Sequence, residues 1–388
     1  MGKKKEFRVS LLLALIVLIS NPVWFLWNIR FYIVAFLVFL LVVFLLPRLG
    51  RGDNFLAIFR KISITFLFFV YFVIISSLIG GFQLYVLISF VILLLYPLIK
   101  DKEKEIALKM ITKMLAVIVF VSFIPWVVNT FIIQLPMLGG YIEYYDTKGM
   151  DSVIENYILF IQIKHDFLIR FYSIFDEPGT LGTLSAFILY ANRFDFRQKQ
   201  NIIILIGGCF TFSMAFYILV LLGLLIVNLN RFKRIVVSII YVILFVIFMF
   251  LVLENNETFK TVIIDRFQNV NSSLENRESF YLNYFYDYFV NSSEIWFGVG
   301  RDFILSKNSL LAGQSYKFFI IEFGLFGFLC AVITYLSMVK KINLFQLGLF
   351  ILFFVSFIQR PFLIQPWQIL LFILIIGSSE INKNFKHD

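Results

Sequence analysis

Charge is scarce in this chain: Asp, Glu, Lys and Arg make up 15% of 388 residues, against 61% hydrophobic residues. A globule of this size has too little polar surface at that balance to cover itself in water, so an ordinary soluble fold is excluded. Cysteine and histidine are nearly missing as well, with two of each. Cys209 and Cys330 sit inside apolar runs without metal or redox spacing, which excludes a disulfide framework and leaves them as small helix-packing residues. His165 reads as a solvated or interfacial residue, and His387 belongs to a charged tail. There is no Walker A sequence, His-rich metal cluster or G-x-S-x-G step. Because D-x-D is also missing from the polar loops, metal-dependent transfer from a nucleotide sugar is not expected, and neither is a metal or a cofactor.

Long apolar runs are what the chain has in plenty. Stretches such as LLLALIVLIS, FYIVAFLVFLLVVFLL and YVILFVIFMFLVL approach or match the roughly 20 residues that cross roughly 30 Å of hydrocarbon. They predict helices at Val9–Trp27, Phe31–Leu46, Ile62–Ile79, Phe82–Ile99, Met114–Ile132 and Gly179–Ala191. A second group is predicted at Ile202–Phe212, Ala215–Val227, Ile235–Leu253, Ser315–Val339, Ile342–Ile358 and Phe362–Ile376. The opening MGKKKEFR followed by an apolar stretch, with no small-residue cleavage site after it, reads as an uncleaved first helix.

Arginine and lysine fix the expected orientation. Arg193, Arg197 and Lys199 precede the stretch around Thr211–Ser213, and Arg231, Lys233 and Arg234 follow it, so both flanks are placed in the cytoplasm. Two crossings meeting at a Thr211-Phe212-Ser213 turn satisfy that, and the total becomes about 12 transmembrane helices with both termini cytoplasmic. The expected fold is therefore an all-α integral membrane protein, one polytopic domain over residues 1–388. The net charge of +10 then reports topology and contact with membrane lipids rather than nucleic acid.

Two outer segments are long, at about 133–178 and 254–314, and long loops in a compact bundle usually carry function. The most informative stretch is RFYSIFDEPGTLGTLSAFILY, from Arg170 to Tyr190. Asp176 and Glu177 precede an apolar helix with Pro178 at its first turn. That pattern serves a helix start by complementing its dipole, and it also puts a carboxylate at the membrane boundary where a sugar hydroxyl could give up a proton. Arginines Arg170, Arg266, Arg277 and Arg301 in the outer segments suit anionic ligands, although neighbours such as Asp265, Glu278 and Asp302 offer each a plain ion pair. Lys307 and Lys317 reach toward phosphates or snorkel. The aromatic run from Phe280 to Trp296 reads as an amphipathic interfacial helix. Arg360, between Gln359 and Pro361, marks the last outer turn.

Taken in order, these elements resemble a known family. An Asp-Glu-Pro-Gly step enters a helix; Thr211-Phe212-Ser213 follows in a short hairpin; Trp296-Phe297-Gly298-Val299-Gly300 leads to Gln314-Ser315-Tyr316 and then to Ile321-Glu322-Phe323-Gly324-Leu325-Phe326-Gly327. This order is similar to that of the O-antigen polymerase and ligase superfamily and covers most of the chain. The resemblance implies a glycosyltransferase that uses an undecaprenyl-pyrophosphate-linked oligosaccharide as donor and a second lipid-linked unit as acceptor. It would act at the outer face of the bacterial cytoplasmic membrane, facing periplasm or cell exterior, and join units into O antigen or capsular polysaccharide. Ligases carry a His-Asn step where this chain has Gln314-Ser315, which favours a Wzy-type repeat-unit polymerase; a ligase and a flippase of the same pathway remain the alternatives. Glu177, Arg170, Arg277 and Arg301 are then the expected catalytic residues. Asp176, Arg266, Lys307, Gln314, Ser315 and Arg360 are the expected substrate contacts, and a chain-length regulator is a further candidate partner.

Overall fold

The computed structural model describes residues 2–48, 65–145, 151–163, 170–229, 280–307, 315–339 and 343–384. The molecule is 77% helical. In order, its principal elements are α1 (Gly2–Ser20), α2 (Arg30–Leu45), α3 (Thr65–Gly80), α4 (Leu84–Leu95), α5 (Asp101–Phe131) and a three-stranded sheet, β1 (Tyr141–Tyr145), β2 (Asp151–Asn156) and β3 (Ile161–Ile163). These are followed by α6 (Pro178–Ala191), α7 (Lys199–Phe210), α8 (Met214–Asn228), α9 (Phe280–Val290), α10 (Gly300–Ser306), α11 (Tyr316–Met338), α12 (Leu344–Gln359) and α13 (Pro366–Asn384).

Among the described residues, three helical stretches are long and apolar enough to cross a membrane, namely Arg30–Arg48, Asp101–Phe131 and Tyr316–Met338, and six shorter apolar helices accompany them. Apolar runs of this kind become helices because hydrocarbon offers no partner to a backbone N–H or C=O, and a helix bonds all of them internally. Outward faces agree with that setting. Tyr32, Phe36, Phe39 and Val43 are exposed on α2 and recur at helical spacing, as Val117, Phe120, Val121 and Ile124 do on α5. Stripes of that size are untenable in water and suited to lipid. The chain is a membrane-embedded helical protein.

Two helices are enclosed on all sides. In α6 every residue from Pro178 to Tyr190 is buried, and in α13 the run Ile369–Ile376 is at most 1% exposed. A helix that is apolar all round belongs in the middle of a bundle. Accordingly α13 packs along α5, α1 and α4, while α6 packs on α7, α8 and α12. Phe187 and Phe353 stack with centroids 4.2 Å apart, joining α6 to α12.

Three features differ from the sequence reading. First, α5 begins at Asp101 rather than Met114, since the charged DKEKE segment forms its opening turns; Asp101 and Glu103 complement the helix dipole, and Glu103 accepts the Lys100 backbone N–H at 3.0 Å. Second, the segment 133–178, expected as irregular loop, holds an antiparallel sheet of order β1-β2-β3, with Tyr141 opposite Glu155 and Ile154 opposite Ile163. Ile154, Ile161 and Tyr172 seat this sheet on Trp24 and Trp27. Third, α11 is broken at Gly324, whose φ of 66° and ψ of −178° lie outside helical space. The predicted helix Ile235–Leu253 and the loop residues 254–279 fall outside the described residues.

The break in α11 is filled by Trp296–Gly300. Val299 N–H donates to the Ile321 carbonyl at 2.8 Å, and Tyr71 Oη–H donates to the Phe323 carbonyl at 2.5 Å, so carbonyls released by the break are bonded again. Gly298 and Gly324 face each other across this joint, both with positive φ, and a Cβ on Gly298 would stand 2.5 Å from the Glu322 carbonyl oxygen. Next to it, the start of α10 rests on the end of α3, where Gly80 meets Gly300 backbone to backbone.

Far along the chain from this joint, a charged cluster ties α2, α4 and α5 together. Arg48 donates to both Glu103 carboxylate oxygens, at 2.5 and 2.8 Å, and to the Leu98 carbonyl at 2.8 Å. Lys104 pairs with Asp101 at 2.7 Å and lies over the Tyr96 ring.

Candidate functional site

A cavity of about 430 Å³ opens where the ends of eight helices meet. Its wall carries three guanidinium groups, Arg30, Arg301 and Arg360, and three carboxyl groups, Asp176, Glu177 and Glu322. Tyr85, Phe31, Phe318, Phe319, Phe323 and Trp367 supply apolar and aromatic surface between them. A mostly apolar pocket with a few converging polar groups is the usual form of a small-ligand site.

Backbone pairing places Asp176 and Glu177. The chain after α1 runs antiparallel to the chain before α6: Trp24 N–H donates to the Ile174 carbonyl at 3.1 Å, Val23 bridges Phe175, and Asp176 N–H donates to the Pro22 carbonyl at 3.0 Å. Behind this strip, Ser122 and Ser173 hydroxyls share a hydrogen bond of 2.7 Å. Glu177 is the N-cap residue of α6, extended at φ −133° and ψ 138°, with Pro178 directly after it. Its carboxylate does not cap the helix. Instead it accepts from Arg360 Nη2 at 2.5 Å.

Arg360 comes from the other end of the sequence, at the C-terminus of α12, and its side chain is 4% exposed. Nη1 donates to Thr180 Oγ1 at 3.2 Å, while Nε finds no partner among the described residues. The guanidinium lies so close to Gly179 that any Cβ there would run into it. This gives the Glu-Pro-Gly step a physical meaning: Glu177 binds the arginine, Pro178 sets the helix start, and Gly179 leaves the space.

The opposite wall is held more loosely. Glu322, two residues before the break in α11, accepts from Gln83 Nε2 at 2.8 Å. Arg301 Nη1 stands 3.6 Å from Glu322 Oε2, beyond hydrogen-bond range, and the Arg301 side chain is 38% exposed over the Phe318 ring. Arg30 opens α2 with its guanidinium over Phe31, and it is in electrostatic contact with Asp176. Burial and the adjacent Glu177 carboxylate push the Asp176 carboxyl well above the usual carboxylate range, against the downward pull of Arg360, Arg30 and the Glu177 backbone N–H. Three guanidinium groups on one wall, each a source of directed N–H donors, suit an anion.

Of the residues expected from sequence, Asp176, Glu177, Arg301 and Arg360 meet in this cavity. Arg170 does not line it; its Nε donates to the Thr211 carbonyl at 3.0 Å, bracing the turn between α7 and α8. Lys307 is exposed with its ammonium over the Phe303 ring, and Ser315 is the fully buried N-cap of α11, its Oγ without a partner among the described residues. Arg266, Arg277, Gln314 and His165 lie outside the described residues. Arg30, Gln83 and Tyr85 were not foreseen. Their one signal in the sequence is position: each stands at or next to the start of an apolar run, on the side of the bundle expected to carry the long loops. No protein-family model and no curated protein matches this chain.

Proposed function

We propose that this protein is a glycosyltransferase that polymerises undecaprenyl-pyrophosphate-linked oligosaccharide repeat units into O antigen or capsular polysaccharide. In this reading about 12 helices cross the bacterial cytoplasmic membrane, both termini are cytoplasmic, and the cavity opens on the outer face. The observation that carries it is the convergence of three arginines and three acids, from segments as far apart as Arg30 and Arg360, on one cavity in an otherwise apolar bundle.

The chemistry asks for such a place. Displacing a lipid pyrophosphate from an anomeric carbon builds negative charge on the leaving oxygen, which guanidinium groups stabilise with paired, directed N–H donors. Arg301, half-exposed and outside hydrogen-bond range of Glu322, is the arginine readiest to turn toward it. A carboxylate on the same wall activates the acceptor hydroxyl. The membrane holds donor and acceptor lipids at the same depth, so both present their sugars to one opening. A flippase would need a polar route through the bundle. Between Pro178 and Ala191 and between Pro366 and Ser378, the enclosed helices α6 and α13 have no charged residue.

Reconstitution tests the proposal. Purified protein in lipid vesicles with purified lipid-linked repeat units, and no added nucleotide, is expected to yield a ladder of longer chains. Folded protein that yields no ladder refutes a polymerase. Transfer to a different acceptor without growth of the chain would make it a ligase, and movement of intact units across the bilayer a flippase.

A further inference from the structure

Three carboxyl groups line the cavity, and two are already engaged. Glu177 accepts from Arg360 at 2.5 Å, and Glu322 accepts from Gln83 at 2.8 Å with Arg301 next to it. Asp176 is placed differently. Its backbone is pinned to Pro22, its side chain borders the cavity, and its Oδ1 is sealed from solvent and finds no hydrogen-bond partner among the described residues.

We propose that Asp176, and not Glu177, accepts the proton of the attacking sugar hydroxyl, an assignment that rests on the transferase reading above. In that step the acceptor oxygen forms its bond to the anomeric carbon of the donor while its proton passes to the Asp176 carboxylate. The bond between the anomeric carbon and the phosphate oxygen breaks, and its electron pair leaves on the lipid pyrophosphate. Asp176 then releases the proton to solvent, so no further reactant is consumed.

Physical grounds separate the two neighbours. A carboxylate clamped by a guanidinium has its lone pairs committed and its charge matched, which makes it a poor base. A carboxylate short of donors holds a proton more firmly and takes one more readily when ionised. The charged and titratable groups around Asp176 are Arg30 from α2, Glu177 beside it and Arg360 from the end of α12, with Tyr85, Arg301 and Glu322 on the same cavity. Glu177 then becomes a positioning residue, holding Arg360 against the start of α6.

The test compares wild type, Asp176→Asn, Asp176→Glu and Glu177→Gln in vesicles with purified lipid-linked repeat units, reading kcat, KM and their dependence on pH. General-base catalysis is worth about 100-fold or more. Asp176→Asn is expected to lower kcat by about that factor, to leave the donor KM within about threefold, and to abolish the acid limb of the rate profile. Asp176→Glu restores part of the rate and shifts the limb. Glu177→Gln keeps the limb and moves it to lower pH, because the neighbouring charge that raises the Asp176 carboxyl is gone. If Asp176→Asn does not fold, Asp176→Glu decides, and an unshifted limb overturns the assignment. An acid limb that persists in Asp176→Asn, or is lost in Glu177→Gln, overturns it equally. Folded wild type that makes no ladder removes the transferase reading itself, and the assignment with it.

Discussion

Replacing Gly324 with alanine probes the joint on which the cavity wall is built. At φ 66° and ψ −178°, Gly324 occupies backbone space that is essentially closed to residues with a Cβ, and forcing one there costs about 1–3 kcal/mol. The new methyl would also strike the Trp296 carbonyl and come within 2.6 Å of Gly298 N. Relief requires the Trp296–Gly300 segment to move off the helix. That breaks the bond from Val299 to Ile321 and strains the one from Tyr71 to Phe323, adding about 1 kcal/mol for each bond lost. The total is about 2–5 kcal/mol. The assay is unfolding in mixed micelles followed by tryptophan fluorescence, which Trp296 reports locally because its ring lies 5.4 Å from Phe326. Gly140 supplies the comparison: its φ is also positive, at 70°, but nothing lies within 4 Å of the site of its missing Cβ, so Gly140→Ala carries only the backbone part, about 1 kcal/mol. Equal losses in the two variants would refute the idea that the glycine joint locks α10 and Arg301 to α11.

Other substitutions probe separate links. Glu103→Ala leaves the Arg48 guanidinium without its carboxylate in a nearly closed site and is expected to destabilise by about 3–5 kcal/mol in the same unfolding assay; a loss under about 1 kcal/mol would show that the pair is not a structural tie. Because the Asp176 carboxyl is raised in the folded protein, its protonated form is favoured there. Stability is therefore fully present at low pH and declines as pH rises through the raised value. Asp176→Asn cannot ionise, so its melting temperature is expected to exceed that of wild type at pH 8 and to converge with it near pH 4; a gap that widens on acidification contradicts this. Arg170→Ala, which removes the brace on the Thr211 carbonyl, is expected to lower chain polymerisation less than Arg301→Ala, as read from ladders at matched protein amounts; the reverse order would put Arg170 back beside the substrate.

The helices were legible because hydrocarbon makes one demand, an apolar run with internal hydrogen bonds, and that demand is written directly in Phe31–Leu46 or Ile342–Ile358. Hydropathy records where lipid begins rather than where a helix begins, which is why α5 extends back to Asp101 through residues that are polar and yet good helix formers. The sheet was hidden because its strands are short and rich in tyrosine and acid, with little apolar alternation to betray them. Half of the cavity wall was visible as charged residues at the edges of apolar runs. Its pairings were not: Glu177 and Arg360 are 183 positions apart, and no local pattern encodes a contact at that separation. Similarly, Gly80-Gly81 reads as a plain connector until Gly300 is seen lying against it. Conversely, the order of motifs in the sequence had a spatial cause, since Trp296–Gly300 and Ile321–Gly327 are two sides of one joint.

The seam between Glu177 and Arg360 also bears on how the protein is made. Segments up to α6 deliver Arg30, Asp176 and Glu177, and their complement of Arg301, Glu322 and Arg360 follows more than a hundred residues later. Until α12 is inserted, Glu177 and Thr180 lack the Arg360 guanidinium, and the slot for the enclosed stretch Ile369–Ile376 of α13 stands open. A nascent chain is thus an incomplete ring with mismatched charges at its rim, a state that membrane insertion factors would have to shelter until synthesis passes residue 376.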